Sequence, residues 1–264
     1  RYGTVTGVQT CALPICCGVE TALLDLRARR RGCSVAELLG ATLPATIPVG
    51  ALVGGADAEE VREQALDRLR RGHRVLKIKV GARSPAHDVE RIRALRDASR
   101  GTASLRFDAN RSWDTASAIE VLGAVAGPDL ALVEEPLRDS PPAELARLRR
   151  ATGVPVALDE SIVDETGLAL HADGGSCDAI VLKLARVGGP RAALALARSA
   201  RERGLAVLWT DSIETEVGRR ATLHTAAAAP GPCEAVGLGG AMILHEPDVD
   251  ETPAVVAVRG PGLG

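Results

Sequence analysis

At 264 residues and 46% hydrophobic content, the chain holds enough apolar material for one large core, and a single (β/α) barrel of about 250 residues would use nearly all of it. A net charge of −2 provides no broad basic field, and 2% aromatic residues leave almost nothing for bases to stack on, so no nucleic-acid partner is expected. No apolar run reaches the roughly 18 residues that a bilayer span requires, and no membrane partner is expected.

Six cysteines (Cys11, Cys16, Cys17, Cys33, Cys177, Cys233) form no CxxC pair, which suits free thiols in a reducing, cytoplasmic setting. Five histidines (His73, His87, His171, His224, His245) show neither HxH nor HExxH spacing, so a histidine metal site is not expected. Val5-Thr6-Gly7-Val8-Gln9-Thr10-Cys11-Ala12-Leu13-Pro14-Ile15 resembles the in-frame translation of a short-read sequencing adaptor, and residues 1–16 are set aside as an artefactual leader; a genuine N-terminal strand is the alternative.

From Val19 to Leu39 apolar residues recur at helical spacing through Ala22, Leu23, Leu26, Val35 and Leu38, with Gly40 as a stop. This reads as one helix, or two joined at Gly32-Cys33. A repeated unit follows: a short β-branched run, a loop, then an amphipathic helix rich in Ala, Leu and Arg. The runs are Ile47–Val53, Val75–Val80, Leu105–Asp108, Leu130–Glu134, Val154–Asp159, Ala179–Leu184, Leu205–Thr210 and Ala235–Leu238, spaced roughly 24 to 31 residues apart. Such spacing predicts parallel strands joined by crossover helices, and eight units close most naturally into a barrel. An open doubly wound sheet is the rival, but no glycine-rich phosphate fingerprint follows the first strand. After Asp248 the pattern turns irregular, with a further strand expected at Val255–Val258.

Polar residues fall at the same place in successive units, at the C-terminal end of a strand, where a barrel carries its active site. Lys77 and Lys79 close the second strand, Asp108 and Asn110 the third, Glu134 and Glu135 the fourth, Asp159 and Glu160 the fifth, and Lys183 the sixth. Asp108, Glu134 and Asp159, separated by 26 and 25 residues, bring three carboxylates to one height. Three like charges facing one cavity repel, and a hard cation such as Mg²⁺ is the usual solution. The alternative is that each acid caps the helix that follows it.

Lysine occurs only at 77, 79 and 183, against 29 arginines. Where mere positive charge suffices this chain uses arginine, so the three exceptions point to a task that needs a releasable proton. In Leu76-Lys77-Ile78-Lys79 the lysines alternate with apolar residues and share the inward face of the strand, where mutual repulsion should depress at least one pKa.

Taken together, Val19-Glu20-Thr21-Ala22-Leu23-Leu24-Asp25-Leu26, Lys77-Ile78-Lys79, Asp108-Ala109-Asn110, Glu134-Glu135-Pro136, Leu158-Asp159-Glu160-Ser161 and Leu182-Lys183 before Arg186-Val187-Gly188-Gly189 resemble the muconate-lactonising subgroup of the enolase superfamily. The resemblance implies a TIM-like (β/α)7β barrel of the α/β class over residues 47–240, a 17–46 helical remnant of a truncated N-terminal α+β capping domain, and a 241–264 tail. It further implies Mg²⁺, with Mn²⁺ as a substitute, on Asp108, Glu134 and Asp159, and catalytic lysines Lys79 and Lys183 facing each other across a small-molecule carboxylate substrate. Lys77, Asn110, Thr210, Ser212, Gly237 and Gly239 would contact that substrate; for Ser212 a simple helix cap is the alternative. A homo-oligomer is left open.

Within the subgroup, dipeptide epimerases resemble one another in an Asp-x-Asp on the last strand that grips an ammonium. This chain has Gly237-Leu238-Gly239 there, with Asp248-Val249-Asp250 falling later. The glycines and the closing Pro261-Gly262-Leu263-Gly264 resemble o-succinylbenzoate synthases, while Glu214-Thr215-Glu216-Val217-Gly218-Arg219 resembles the racemase branch. A third expectation is an inactive fragment, since a barrel without its lid leaves reactive groups open to water.

Overall fold

The computed structural model describes residues 7–42, 45–238 and 255–264. It opens with α1 (Gly7–Arg31) and α2 (Val35–Leu38), so residues 7–15 are helical rather than a strand, and position 16/17 falls inside α1. The two helices part at Gly32, whose φ of +65° suits a residue without a Cβ. Ser34 then starts α2 with a reciprocal cap: its hydroxyl accepts from Glu37 N (3.1 Å) while the Glu37 carboxylate accepts from Ser34 N (2.8 Å). The face α1 buries is the narrow one through Cys17, Thr21, Leu24 and Ala28, leaving Val19, Leu23 and Leu26 exposed. Cys17 meets Gly189 closely, since a Cβ at Gly189 would stand 3.4 Å from Cys17 Cα.

Strands and helices then alternate: β1 (Ala45–Val53), α3 (Ala58–Arg70), β2 (Val75–Lys79), α4 (Pro85–Ser99), β3 (Ser104–Asp108), α5 (Thr115–Val125), β4 (Leu130–Glu134), α6 (Pro142–Thr152), β5 (Val156–Leu158), α7 (Glu165–Asp173), β6 (Ala179–Leu182), α8 (Leu184–Val187), α9 (Pro190–Glu202), β7 (Ala206–Trp209), α10 (Glu216–Ala227) and β8 (Val236–Gly237). The parallel order runs β8-β1-β2-β3-β4-β5-β6-β7, and a parallel bridge between Thr210 and Gly237 joins its ends. The result is the (β/α)7β barrel expected from the repeat. A ninth strand, β9 (Val255–Val258), pairs antiparallel with the start of β1.

Local chemistry sets the helix starts. Asp57, Ser84, Asp114 and Asp164 cap α3, α4, α5 and α7 with side-chain oxygens, and Pro85, Pro142 and Pro190 occupy first helical positions, where the missing N–H costs nothing. None of the strand-end acids is used as a cap. β5 is shorter than its apolar run predicts because Pro155 lacks a donor and the N–H of Asp159 goes to Glu135 Oε1 (3.0 Å).

Alternation along the strands divides the core. Leu76, Ile78, Leu105 and Phe107 are fully buried toward the helix ring, while Leu132, Ala157, Ala179, Val181 and Leu208 form a separate cluster inside the barrel. The small interior residues leave room for Arg106, whose Nη1 reaches Ala235 O (2.9 Å).

The last residues lock the first helices to the barrel. Leu263 N donates to Asp25 Oδ1 (2.8 Å), Val35 N donates to Gly262 O (2.8 Å), and His224 sits between Ala36 N (3.1 Å to Nδ1) and Leu263 O (3.2 Å to Nε2). His224 must therefore be neutral: Nδ1 accepts and Nε2–H donates. Burial, first, holds its pKa below the usual histidine range. Its contribution is complete above the ordinary value of about 6.5 and is lost as pH falls through the depressed folded value. The melting midpoint is accordingly expected to drop more between about pH 7.5 and about pH 5.5 in the native sequence than in His224→Gln; equal pH slopes in a thermal melt would contradict this.

Candidate active site

The strand register sets the height of the polar ring. Lys77 pairs with Arg106, Lys79 with Asp108, and Asp108 with Glu134 across β2, β3 and β4, so residues on the inward face of each strand end come level. Asp159 and Lys183 follow β5 and β6 directly. Strands β2 and β6 are four places apart in an eight-strand ring, which sets Lys79 and Lys183 on opposite sides of the mouth.

Lys77 Nζ lies between two carboxylates, 2.9 Å from Asp108 Oδ2 and 2.8 Å from Glu134 Oε2. Lys79 Nζ donates to Asn110 Oδ1 (2.8 Å) and stands 4.0 Å from Asp108 Oδ2. Across the barrel, Asp159 is paired with Lys183 through Oδ2 and with Arg186 Nη1 through Oδ1 (2.9 Å for the latter). Asp108, Glu134 and Asp159 are all buried, and Glu134 Oε1 has no hydrogen-bond partner.

Burial, with Asp108 and Asp159 adding to it and Lys77 opposing it, pushes the Glu134 carboxyl up to about 7. Burial alone would pull the Lys77 ammonium down, but Glu134 and Asp108 outweigh it and hold Lys77 above the ordinary lysine value. The depression expected from lysine–lysine repulsion is therefore reversed at Lys77, because its nearest charges are carboxylates rather than Lys79. The ion pairs also decide where the acids point. Among the described residues no group of three acidic, thiol or imidazole side chains is placed to share an ion; Lys77 bridges Asp108 and Glu134, while Lys183 and Arg186 take both oxygens of Asp159.

The far wall comes from β7 and β8. Thr210 Oγ1 donates to Asp211 O (3.3 Å), and Ser212 Oγ is buried without a partner. Ser212 is not a helix cap, because Thr215 holds that place before α10. A Cβ on Gly237 would lie 3.0 Å from Thr210 Oγ1, so the end of β8 presents bare backbone. Gly239, Asp248 and Asp250 lie outside the described residues. Glu214, noted in the sequence only as part of a motif, has a buried, unpartnered Oε1, and burial with Asp211 nearby raises its pKa. Arg186, Arg111 and Ser161 were likewise given no role; their long-range partners leave no periodic signal.

Residues 60–264 match the family described as Enolase C-terminal domain-like. The chain is 33% identical over 252 residues to muconate cycloisomerase 1 of Rhodococcus opacus, covering 93% of this chain and 68% of the relative. It is 36% identical over 225 residues to an o-succinylbenzoate synthase of Thermobifida fusca, covering 84% and 68%. The solved structure of the L-Ala-D/L-Glu epimerase from Bacillus subtilis superposes with a TM-score of 0.84 at 29% identity, covering 94% of this chain and 71% of that one. The chain belongs to the enolase superfamily, as an enzyme of the Enolase C-terminal domain-like family. Among the described residues no helix is long and apolar enough to cross a membrane.

The charge balance at Glu134 is open to direct measurement. In protein freed of divalent ions, carbon NMR of labelled glutamate should show a carboxyl titrating near pH 7. Lys77→Met should move that midpoint upward, because Lys77 is the opposing charge; a downward move would show that the ion pair has been misread.

Proposed function

We propose that the chain is the barrel of a dehydratase converting 2-succinyl-6-hydroxy-2,4-cyclohexadiene-1-carboxylate to o-succinylbenzoate, a step of menaquinone biosynthesis. The observation that carries the reaction class is the pair of lysines, Lys79 and Lys183, set on opposite sides of a mouth that holds three buried carboxylates.

Asp108, Glu134 and Asp159 are the oxygen donors that would hold a hard divalent cation, Mg²⁺ or Mn²⁺, provided Asp159 gives up its pairing with Lys183 and Arg186. All three are buried oxygen donors, Glu134 Oε1 has no partner, and the raised Glu134 pKa is the penalty a cation would relieve. A bound Mg²⁺ supplies a Lewis acid for the substrate carboxylate as charge builds on it.

The chain's own groups account for the proton movements. Neutral Lys79 Nζ takes the proton alpha to the carboxylate; the resulting ammonium, steadied by Asn110 Oδ1, returns that proton to the departing hydroxyl on the same face. Water leaves, and the ring becomes aromatic. Lys183 stays protonated, and its charge faces the developing enediolate. Lys77 stays charged between Asp108 and Glu134 and keeps positive charge beside the substrate carboxylate. Thr210, Ser212 and Gly237 line the opposite wall. The bare backbone at Gly237 suits a flat anion rather than an ammonium, which supports this reading over a dipeptide epimerase.

The opposed lysines also favour a second reading, an N-acylamino acid racemase or epimerase, because two bases on two faces suffice for proton exchange at one carbon. Ultraviolet loss of the cyclohexadiene, loss of optical rotation of an N-acyl amino acid and loss of muconate absorbance, assayed side by side, separate the dehydratase, the racemase and the chemistry of the cycloisomerase relatives. Lys79→Arg is expected to lower the active one by about 10²- to 10⁴-fold while calorimetry shows metal binding kept. Turnover retained in that variant would remove Lys79 from its role, and turnover indifferent to chelator would remove the metal.

A further inference from the structure

Glu135 takes no part in these proton transfers, yet its side chain is wholly buried. Its Oε1 accepts from the backbone N–H groups of Asp159 (3.0 Å) and Ser161 (2.6 Å). Its Oε2 accepts from the hydroxyls of Ser140 (2.7 Å) and Ser161 (3.2 Å) and from Arg111 Nε (3.3 Å). Arg111 closes the lattice through Nη2 to Ser161 Oγ (2.8 Å) and through its own N–H to Glu135 O (2.7 Å). One carboxylate thus ties together the segments that follow β3, β4 and β5; Asp108 and Glu134 end the first two strands, and Asp159 opens the segment after the third.

The backbone here is strained as well as tied. Among the described residues six other than glycine have positive φ, and four of them, Asn110, Arg111, Glu135 and Ser140, belong to this lattice or adjoin it. Side chains persist in that region only where their surroundings over-determine them, and such strain gathers at working sites. A carboxylate needed only to fill the interior would be replaceable by an apolar side chain without strain. Here its acceptors meet the N–H of Asp159 itself and that of the residue two beyond it, so they set the course of the backbone through Asp159.

We infer that Glu135 is a positioning residue: it orients Asp159, and through Asp159 the ammonium of Lys183, for the reaction proposed above. The inference rests on the reading of Asp159 as a ligand of the divalent cation. Glu135→Gln is the informative change. Its amide oxygen still accepts from the two backbone N–H groups, while its NH₂ meets Arg111 Nε, which can only donate, and leaves the Ser140 and Ser161 hydroxyls to turn and accept.

Mn²⁺ titration by calorimetry, kcat and KM, and the metal-free melting midpoint are measured on native and Glu135→Gln protein. The expected result is Mn²⁺ binding weakened about 10- to 100-fold and a lowered kcat with KM little changed, the size of effect usual for groups that orient metal ligands. A lower melting midpoint with native Mn²⁺ affinity and kcat would make Glu135 merely structural and overturn the inference. Native protein that binds no Mn²⁺ would overturn the metal reading and this inference with it. Should Glu135→Gln fail to fold, Arg111→Lys, which loses the fork to Ser161, decides in the same titration: weakened binding supports the inference and native affinity overturns it.

Discussion

The interior of this barrel carries charge that water cannot reach, and that is tolerable only because Lys77 stands between Asp108 and Glu134. Two buried carboxylates on neighbouring strands repel each other, and an ammonium within 2.9 Å of each offsets that repulsion. Removing one partner of such a buried pair costs on the order of 3–5 kcal/mol. The same bridge keeps Glu134 poised: its pKa is still near 7, so the site holds a carboxylate whose charge responds to whatever cation comes close.

Depth within the barrel grades this chemistry. Lower down, Ala157 and Ala179 are too small to fill the interior, and the Arg106 stem crosses the space to the backbone before β8. At the mouth the side chains become carboxylates and lysines. Below is a packed and neutralised floor; above is a charged rim on strand ends held by the main ladder. Rigid strands place the rim groups, while the segments after β3, β4 and β5 adjust them through Glu135. Relatives of this fold carry names as different as muconate cycloisomerase, o-succinylbenzoate synthase and L-Ala-D/L-Glu epimerase, so the barrel by itself does not choose the reaction.

Much of this was legible in the sequence because period and spacing are local properties. Apolar runs at regular intervals fix parallel strands, and alternation in Leu76-Lys77-Ile78-Lys79 fixes which side chains face inward. The bias toward arginine marked the three lysines before any coordinates. β5 was read too long because the partner of the Asp159 N–H is a side chain 24 residues away, and no pattern within the run reveals it. The side of α1 that packs was not legible in the same way: Cys17, Thr21, Leu24 and Ala28 are buried while Leu23 and Leu26 are exposed, and which side is covered depends on what packs against it.

By itself, then, the sequence determined the architecture, the inward-facing residues and the identity of the strand-end acids and lysines, since each follows from periodicity along one strand. Only the tertiary structure decided how those charges are paired, that Lys77 is held above rather than below its ordinary value, and that Glu135 binds the segment carrying Asp159. Electrostatic energy depends on distances between strands and on burial, and neither is set until the barrel closes.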